Sequence, residues 1–142
     1  MKKTFTNIVT VVLAMTFCVV AANANELHVE ASEYLSYYNA ATDASGSGQI
    51  DISYTVSSYA TMTQIGASKI VVQEKVGSSW SSVKYYYAST TTGLLITSRA
   101  SYTNTITYQG TAGKTYRAAV TFYAGDSTGY DTRDFITNSV TA

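Results

Sequence analysis

Cysteine, proline and histidine are almost missing from this chain of 142 residues, which has one cysteine, no proline and one histidine. Cys18 lies in a segment that we expect to be removed, so the remaining chain can form no disulfide and no thiolate metal site. Catalysis by a Ser-His-Asp set would need His28 as its base, close to a predicted chain end where order is often low. We therefore expect a non-enzymatic protein that folds by packing alone and holds no cofactor.

Charge is also scarce, since only 13% of the residues are Asp, Glu, Lys or Arg. When the segment 1–24 is set aside, seven Lys and Arg stand against nine Asp and Glu, a formal charge of −2. This balance argues against a nucleic-acid partner and against a polybasic membrane-surface protein.

The segment 1–24 has the pattern of a cleavable export signal of bacterial type. Lys2 and Lys3 precede an apolar run over residues 8–20, and Ala22 and Ala24 supply the small residues that signal peptidase requires. Cleavage is expected before Asn25, which leaves residues 25–142 as one secreted domain. This domain would act outside the cell or remain associated with its surface, and no stable membrane insertion is expected.

A lipid anchor on Cys18 is the alternative for this segment. The bulky Phe17 occupies the position before it, where bacterial lipoproteins have a small residue, and this disfavours lipidation.

The remaining chain alternates apolar and polar residues, most clearly over residues 50–58, where Ile50, Ile52 and Tyr54 are separated by polar residues. A period of two predicts antiparallel strands with one buried face, and Gly-rich and Ser-rich turns separate the runs. Residues 45–48 are predicted as a turn, whereas residues 89–101 are left open between a loop, a short buried strand and a crossover. Seven strands are predicted, over residues 27–38, 50–58, 69–76, 80–88, 102–108, 115–124 and 133–141.

Three stretches, residues 50–54, 70–83 and 112–122, resemble an immunoglobulin-like sandwich of the fibronectin type III kind. The chain is also similar to uncharacterised small secreted proteins of Gram-positive bacteria. The first resemblance implies an all-β antiparallel sandwich of about seven strands. It also implies a buried Tyr116 whose hydroxyl bonds to nearby backbone, as in a tyrosine corner.

Alternation along two of these strands predicts a candidate binding surface. If Val83, Tyr85 and Tyr87 face the core, the residues between them face solvent, together with the outward residues of the strand that contains Tyr116. Aromatic and arginine side chains dominate recognition surfaces, although aromatics also cover sheets as cross-strand pairs. The predicted surface consists of Trp80, Lys84, Tyr86, Arg117 and Tyr123.

Carboxylates are the other candidates for chemistry. Glu30 and Glu33 are three residues apart and face opposite sides of a strand, which is unsuitable for a glycosidase pair. Asp126, Asp131 and Asp134 flank a glycine-containing loop, but their spacing matches no calcium loop. No catalytic, cofactor or metal site is therefore predicted.

These observations predict a secreted, non-enzymatic binding or scaffolding module for a protein or a glycan. A carbohydrate-binding module is one alternative. A secreted toxin or bacteriocin-like protein, whose strands rearrange into a membrane hairpin, is another.

Overall fold

The computed structural model describes residues 32–142, which form an all-β domain without a helix among them. Ala22, Ala24 and Asn25 of the predicted cleavage site lie outside the described residues, as do Cys18 and His28. The strands form one curled, antiparallel, seven-stranded sheet. They are β1 (Leu35–Gly46), β2 (Gln49–Val76), β3 (Ser79–Tyr87), β4 (Leu95–Gln109), β5 (Thr115–Gly125), β6 (Tyr130–Ile136) and β7 (Val140–Thr141).

The 28-residue β2 organises this sheet because it pairs with four other strands. The first part of β2, residues 49–66, pairs with β1 and β4. The second part, residues 64–76, pairs with β3 and β5, and the two parts overlap at residues 64–66. The ladder with β4 is irregular between Ser57 and Met62, and an irregularity of this kind bends and twists a strand. The prediction of separate strands over 50–58 and 69–76 is therefore wrong, since one strand continues through both.

The bend in β2 brings the inward faces of the two parts of the sheet together. The ring centroid of Tyr54 on β2 lies 6.3 Å from that of Phe122 on β5, and the centroids of Tyr108 and Tyr116 are 5.6 Å apart. The residues predicted to be inward over 50–56 of β2 and 116–122 of β5 are confirmed as buried. The largest fully buried side chains include Tyr54, Tyr116, Phe122, Ile50, Ile52, Ile65, Ile70 and Leu94.

The corner predicted around Tyr116 is present. Tyr116 is 1% exposed, and its hydroxyl accepts the backbone N–H of Thr111 at 2.9 Å and donates to Glu74 at 3.2 Å. Glu74 also pairs with Lys114 at 3.1 Å. The buried tyrosine therefore fastens the turn before β5 to β2.

The region left open by the sequence, residues 89–101, is a turn followed by the start of β4. Leu94 is fully buried, and its carbonyl accepts the N–H of Ala67 at 2.9 Å and the hydroxyl of Tyr54 at 3.0 Å. The neighbouring carbonyl of Gly93 accepts the Asn104 amide at 2.8 Å. Burial raises the pKa of Tyr54 to about 12.

The predicted last strand is split into β6 and β7 at Thr137 and Asn138. The side-chain amide of Asn138 accepts the Thr42 N–H at 3.0 Å and donates to the Thr42 carbonyl at 2.7 Å. The hydroxyls of Thr137 and Thr42, both buried, lie 2.6 Å apart. These side chains continue the ladder along the edge of β1 at that point.

The predicted orientation of β3 is correct before Val83 and wrong after it. Lys84 pairs with Val72 and Ser82 with Gln73, so Val83 is an extra residue that pairs with neither. One extra residue reverses which face each later side chain occupies. Val83 and the two tyrosines predicted to be inward, Tyr85 and Tyr87, are 40%, 50% and 45% exposed.

Lys84 and Tyr86 therefore lie on the core side of the sheet, where Lys84 is exposed and Tyr86 is half-buried, and their predicted place on the outer face is wrong. Tyr86 lies opposite the buried Ile70 and packs against the core, and its burial raises its pKa. The Lys84 ammonium lies 5.4 Å from the centroid of the Tyr86 ring. An outward Tyr86 would make Tyr86→Ala change the free energy of unfolding by less than about 1 kcal/mol. Because Tyr86 packs against the core, we expect a larger loss, which denaturant melts would measure.

Candidate functional site

The outward face of β3, the second part of β2, and β5 collects exposed aromatic side chains, and we call it the outer aromatic face. Tyr85 lies beside Val71, and Val71 lies beside Ala119, in one row across the three strands. The next row contains Tyr87, Lys69 and Thr121. The outer aromatic face comprises Lys69, Val71, Gln73, Lys75, Trp80, Val83, Tyr85, Tyr87, Arg117, Ala119 and Thr121.

Trp80 and Arg117 are in direct contact at one end of this face. The guanidinium carbon of Arg117 lies 4.2 Å from the centroid of a Trp80 ring. The Nε–H of Arg117 donates to the side-chain oxygen of Gln73 at 2.8 Å. A guanidinium stacked on indole and fixed through Nε has lost much of the rotamer freedom of a surface arginine.

Of the other residues predicted for the surface, only Tyr123 faces outward. It stacks on Tyr130 with ring centroids 5.4 Å apart, beyond the row that contains Thr121. Lys84 and Tyr86 lie on the opposite side of the sheet.

Sequence reasoning missed Tyr85 and Tyr87 as surface residues. Their rings are nearly parallel, at 10°, with centroids 6.1 Å apart. The run Tyr85-Tyr86-Tyr87 contains the signal that aromatics occupy both faces, but nothing within it shows which tyrosines point outward.

Charges on the outer aromatic face are of one sign. Lys69, Lys75 and Arg117 contribute three cations, and no carboxylate belongs to this part of the described chain. The nearest acidic neighbour along the rows is Asp134 of β6, which pairs with Thr121 and accepts its hydroxyl at 2.6 Å. The face is therefore cationic although the domain as a whole is not.

The outward face of β1, the first part of β2, and β4 has a different chemistry, built from short hydroxyl side chains. Three cross-strand pairs have oxygen–oxygen distances of 2.9 Å, and a fourth joins Thr107 to Asp51 at 2.7 Å. This bond to Thr107 lowers the pKa of Asp51. The hydroxyls satisfy one another, which suits a solvated face of a sheet. The three pairs are Ser53–Thr105, Thr55–Thr103 and Ser57–Ser101.

The carboxylates considered as metal ligands serve separate local contacts. Asp126 accepts the N–H and hydroxyl of Thr128, and Asp131 accepts the hydroxyl of Ser32. These hydrogen bonds lower the pKa of both carboxyls. Within residues 32–142, no three His, Cys, Asp or Glu side chains are grouped closely enough to hold a metal ion.

No protein family matches the sequence, and no curated protein matches it. A protein from Archaeoglobus fulgidus of known crystal structure is 10% identical to it, with a TM-score of 0.41. The match covers 76% of this chain and 97% of that one. A likeness this distant carries no inference about ligand or activity. Residues 32–142 also contain no helix of the length and hydropathy that a membrane span requires.

Proposed function

We propose that this chain is a non-enzymatic binding module that acts outside the cell or at its envelope through the outer aromatic face. The single observation that carries the proposal is the exposure of Tyr85 and Tyr87 beside the stacked Trp80–Arg117 pair. Exposed aromatics beside a fixed arginine are the residue types that contribute most to recognition surfaces. The partner is a protein or a glycan, and of these two we favour the glycan.

Secretion is part of this proposal. It is supported by the pattern of the segment 1–24, whose cleavage before Asn25 would leave a chain without cysteine. The intact mass of the protein recovered from culture supernatant is expected to be that of a chain that begins at Asn25.

The architecture we propose is an immunoglobulin-like, fibronectin type III-like sandwich in which two usual strands are fused into β2. Support comes from the strand order, since β1, β2 and β4 neighbour one another on one side, and β3, β2, β5 and β6 on the other. An immunoglobulin-like domain whose second and third strands had become continuous would have this arrangement.

The surface is tested by the double substitution Tyr85→Ser and Tyr87→Ser in the protein that begins at Asn25. Because both side chains are about half exposed, the fold is expected to tolerate the change. We expect retention on isolated bacterial envelopes and on a glycan array to fall by at least about tenfold, as loss of recognition aromatics does elsewhere.

The matched control replaces two tyrosines outside the outer aromatic face, Tyr37 and Tyr59, which are 53% and 72% exposed. Tyr37→Ser with Tyr59→Ser removes the same chemical groups and is expected to leave retention within twofold. Equal retention by both double variants would contradict the proposed surface.

A further inference from the structure

We propose that Arg117 is a preformed receptor for a carboxylate, and that the ligand of the outer aromatic face is an acidic glycan carrying uronic acid groups. This inference rests on the proposed function and specifies the ligand of the same surface. The guanidinium of Arg117 has defined partners at its Nε–H and at one ring of Trp80, and its side chain is half-buried.

The Arg117 guanidinium is held on two sides. Trp80 covers one face of its plane at 4.2 Å, and Gln73 accepts the Nε–H at 2.8 Å. Among residues 32–142, the Nη1 and Nη2 groups donate no hydrogen bond, and the one salt bridge joins Lys114 to Glu74 instead. Two terminal nitrogens fixed in a plane match the two oxygens of a carboxylate, and holding them in place reduces the entropy lost on binding.

The surroundings favour an anion. Lys75 lies opposite Trp80 in the β2–β3 ladder, and Gln73 lies opposite Arg117 in the β2–β5 ladder. Lys75 is therefore two residues, about 7 Å in an extended strand, from the residue opposite Arg117. Lys69 adds a third cation farther along the same face. Among residues 32–142, the acidic side chain that an anionic polymer crossing these rows would meet is Asp134.

The geometry favours a glycan over a peptide that adds a strand. Strand addition needs a regular free edge, and the edge strand that carries Tyr85 and Tyr87, β3, is interrupted by the extra residue Val83. Lys84, although exposed, lies on the core side of the sheet beside Val83, and bulges and charges on that side both discourage edge pairing. The cations and aromatics lie on the face of the sheet rather than along its edge. A flat sugar chain can rest there, with its rings against Tyr85 and Tyr87 and its carboxylate on Arg117.

Trp80 is the only tryptophan of the chain, so its fluorescence reports on the proposed receptor alone. Titration with a galacturonate oligomer at low salt is expected to change this emission saturably. The fully methyl-esterified oligomer, which has the same sugars without charge, is expected to produce no change. Added salt is expected to weaken the binding of the acidic oligomer, because the contacts are exposed to solvent.

Calorimetry then compares variants, because changing Arg117 alters the Trp80 signal itself. We expect Arg117→Gln to lose at least tenfold in affinity. Arg117→Lys is also expected to lose several-fold, since a lysine keeps the charge but not the planar pair of donors. The control Arg99→Gln removes an exposed arginine of β4 and the same charge, and is expected to stay within twofold. Thermal melts establish that each variant is folded.

Three results would contradict the proposal that Arg117 binds a carboxylate. One is equal affinity for the esterified and acidic oligomers. Another is an equal loss of affinity for the acidic oligomer in Arg117→Gln and Arg99→Gln. The third is equal or tighter binding of a polyglutamate of matched charge, which would indicate a peptide or a purely electrostatic partner. If Tyr85→Ser with Tyr87→Ser abolishes envelope retention while Arg117→Gln preserves it, the proposed function stands and the acidic ligand does not.

Discussion

Replacing Gly66 with alanine is expected to unfold the protein or nearly so. Gly66 has φ of +149°, and a Cβ built there would lie 2.1 Å from the carbonyl oxygen of Leu94 and 3.0 Å from the Cα of Leu95. These are backbone atoms, and the Leu94 carbonyl is held by hydrogen bonds to Ala67 and Tyr54. The clash can be relieved only by separating β2 from β4, and we expect a loss above about 4 kcal/mol, in the exceptional range for a single substitution.

Gly77 offers a matched control for that substitution. Its φ is +62°, but a Cβ built there would meet nothing within 4 Å. Gly77→Ala should therefore show only the backbone cost of a left-handed residue, about 1–2 kcal/mol. Denaturant melts of the two variants compare the free energies of unfolding. Similar losses at both positions would mean that β2 and β4 do not approach as closely as described.

The second large effect is expected at Tyr116. Its ring packs at 5.6 Å from that of Tyr108 and fills the space beside Gly110, where a Cβ would lie 2.7 Å from the Tyr116 ring. Tyr116→Ala is expected to cost about 3–5 kcal/mol, as truncation of a buried aromatic does. Tyr116→Phe keeps the ring and removes only the hydroxyl bonded to Thr111 and Glu74, and should cost about 1–2 kcal/mol.

Tyr85→Ala is the control for Tyr116, because it removes the same atoms from an exposed position. Its unfolding free energy is expected to change by less than about 1 kcal/mol. Chemical denaturation followed by circular dichroism measures all three variants. A mild loss at Tyr116 together with a severe one at Tyr85 would reverse the assignment of inward and outward faces.

Alternation predicts a face reliably wherever the ladder is regular. Ile50 to Val56 and Tyr116 to Val120 have the inward residues that their sequence pattern predicts, because each strand pairs there without an extra residue. The same reasoning fails at Val83. An extra residue in β3 is defined only by pairing with Val72 and Gln73 of another strand, and no local pattern contains that information.

The residues of the candidate surface also divide into those that precede an irregularity in their strand and those that follow one. Trp80 and Arg117 could be proposed from sequence because both precede any irregularity in their strands, and they prove to be in contact. Tyr85 and Tyr87 could not, since they follow Val83. No local sequence pattern predicts that position 66 must be glycine. Its requirement for glycine comes from Leu94, 28 positions away in the chain, and arises only when β2 and β4 meet.

The most direct test of the proposed function asks which face of the sheet meets the ligand. Amide chemical shifts in ¹⁵N-labelled protein would be followed as the galacturonate oligomer is added. We predict changes concentrated in residues 69–75, 80–87 and 117–121, with residues 101–107 of the hydroxyl-covered face unchanged. Changes concentrated in residues 101–107, with the outer aromatic face unaffected, would contradict the assignment of function to that face.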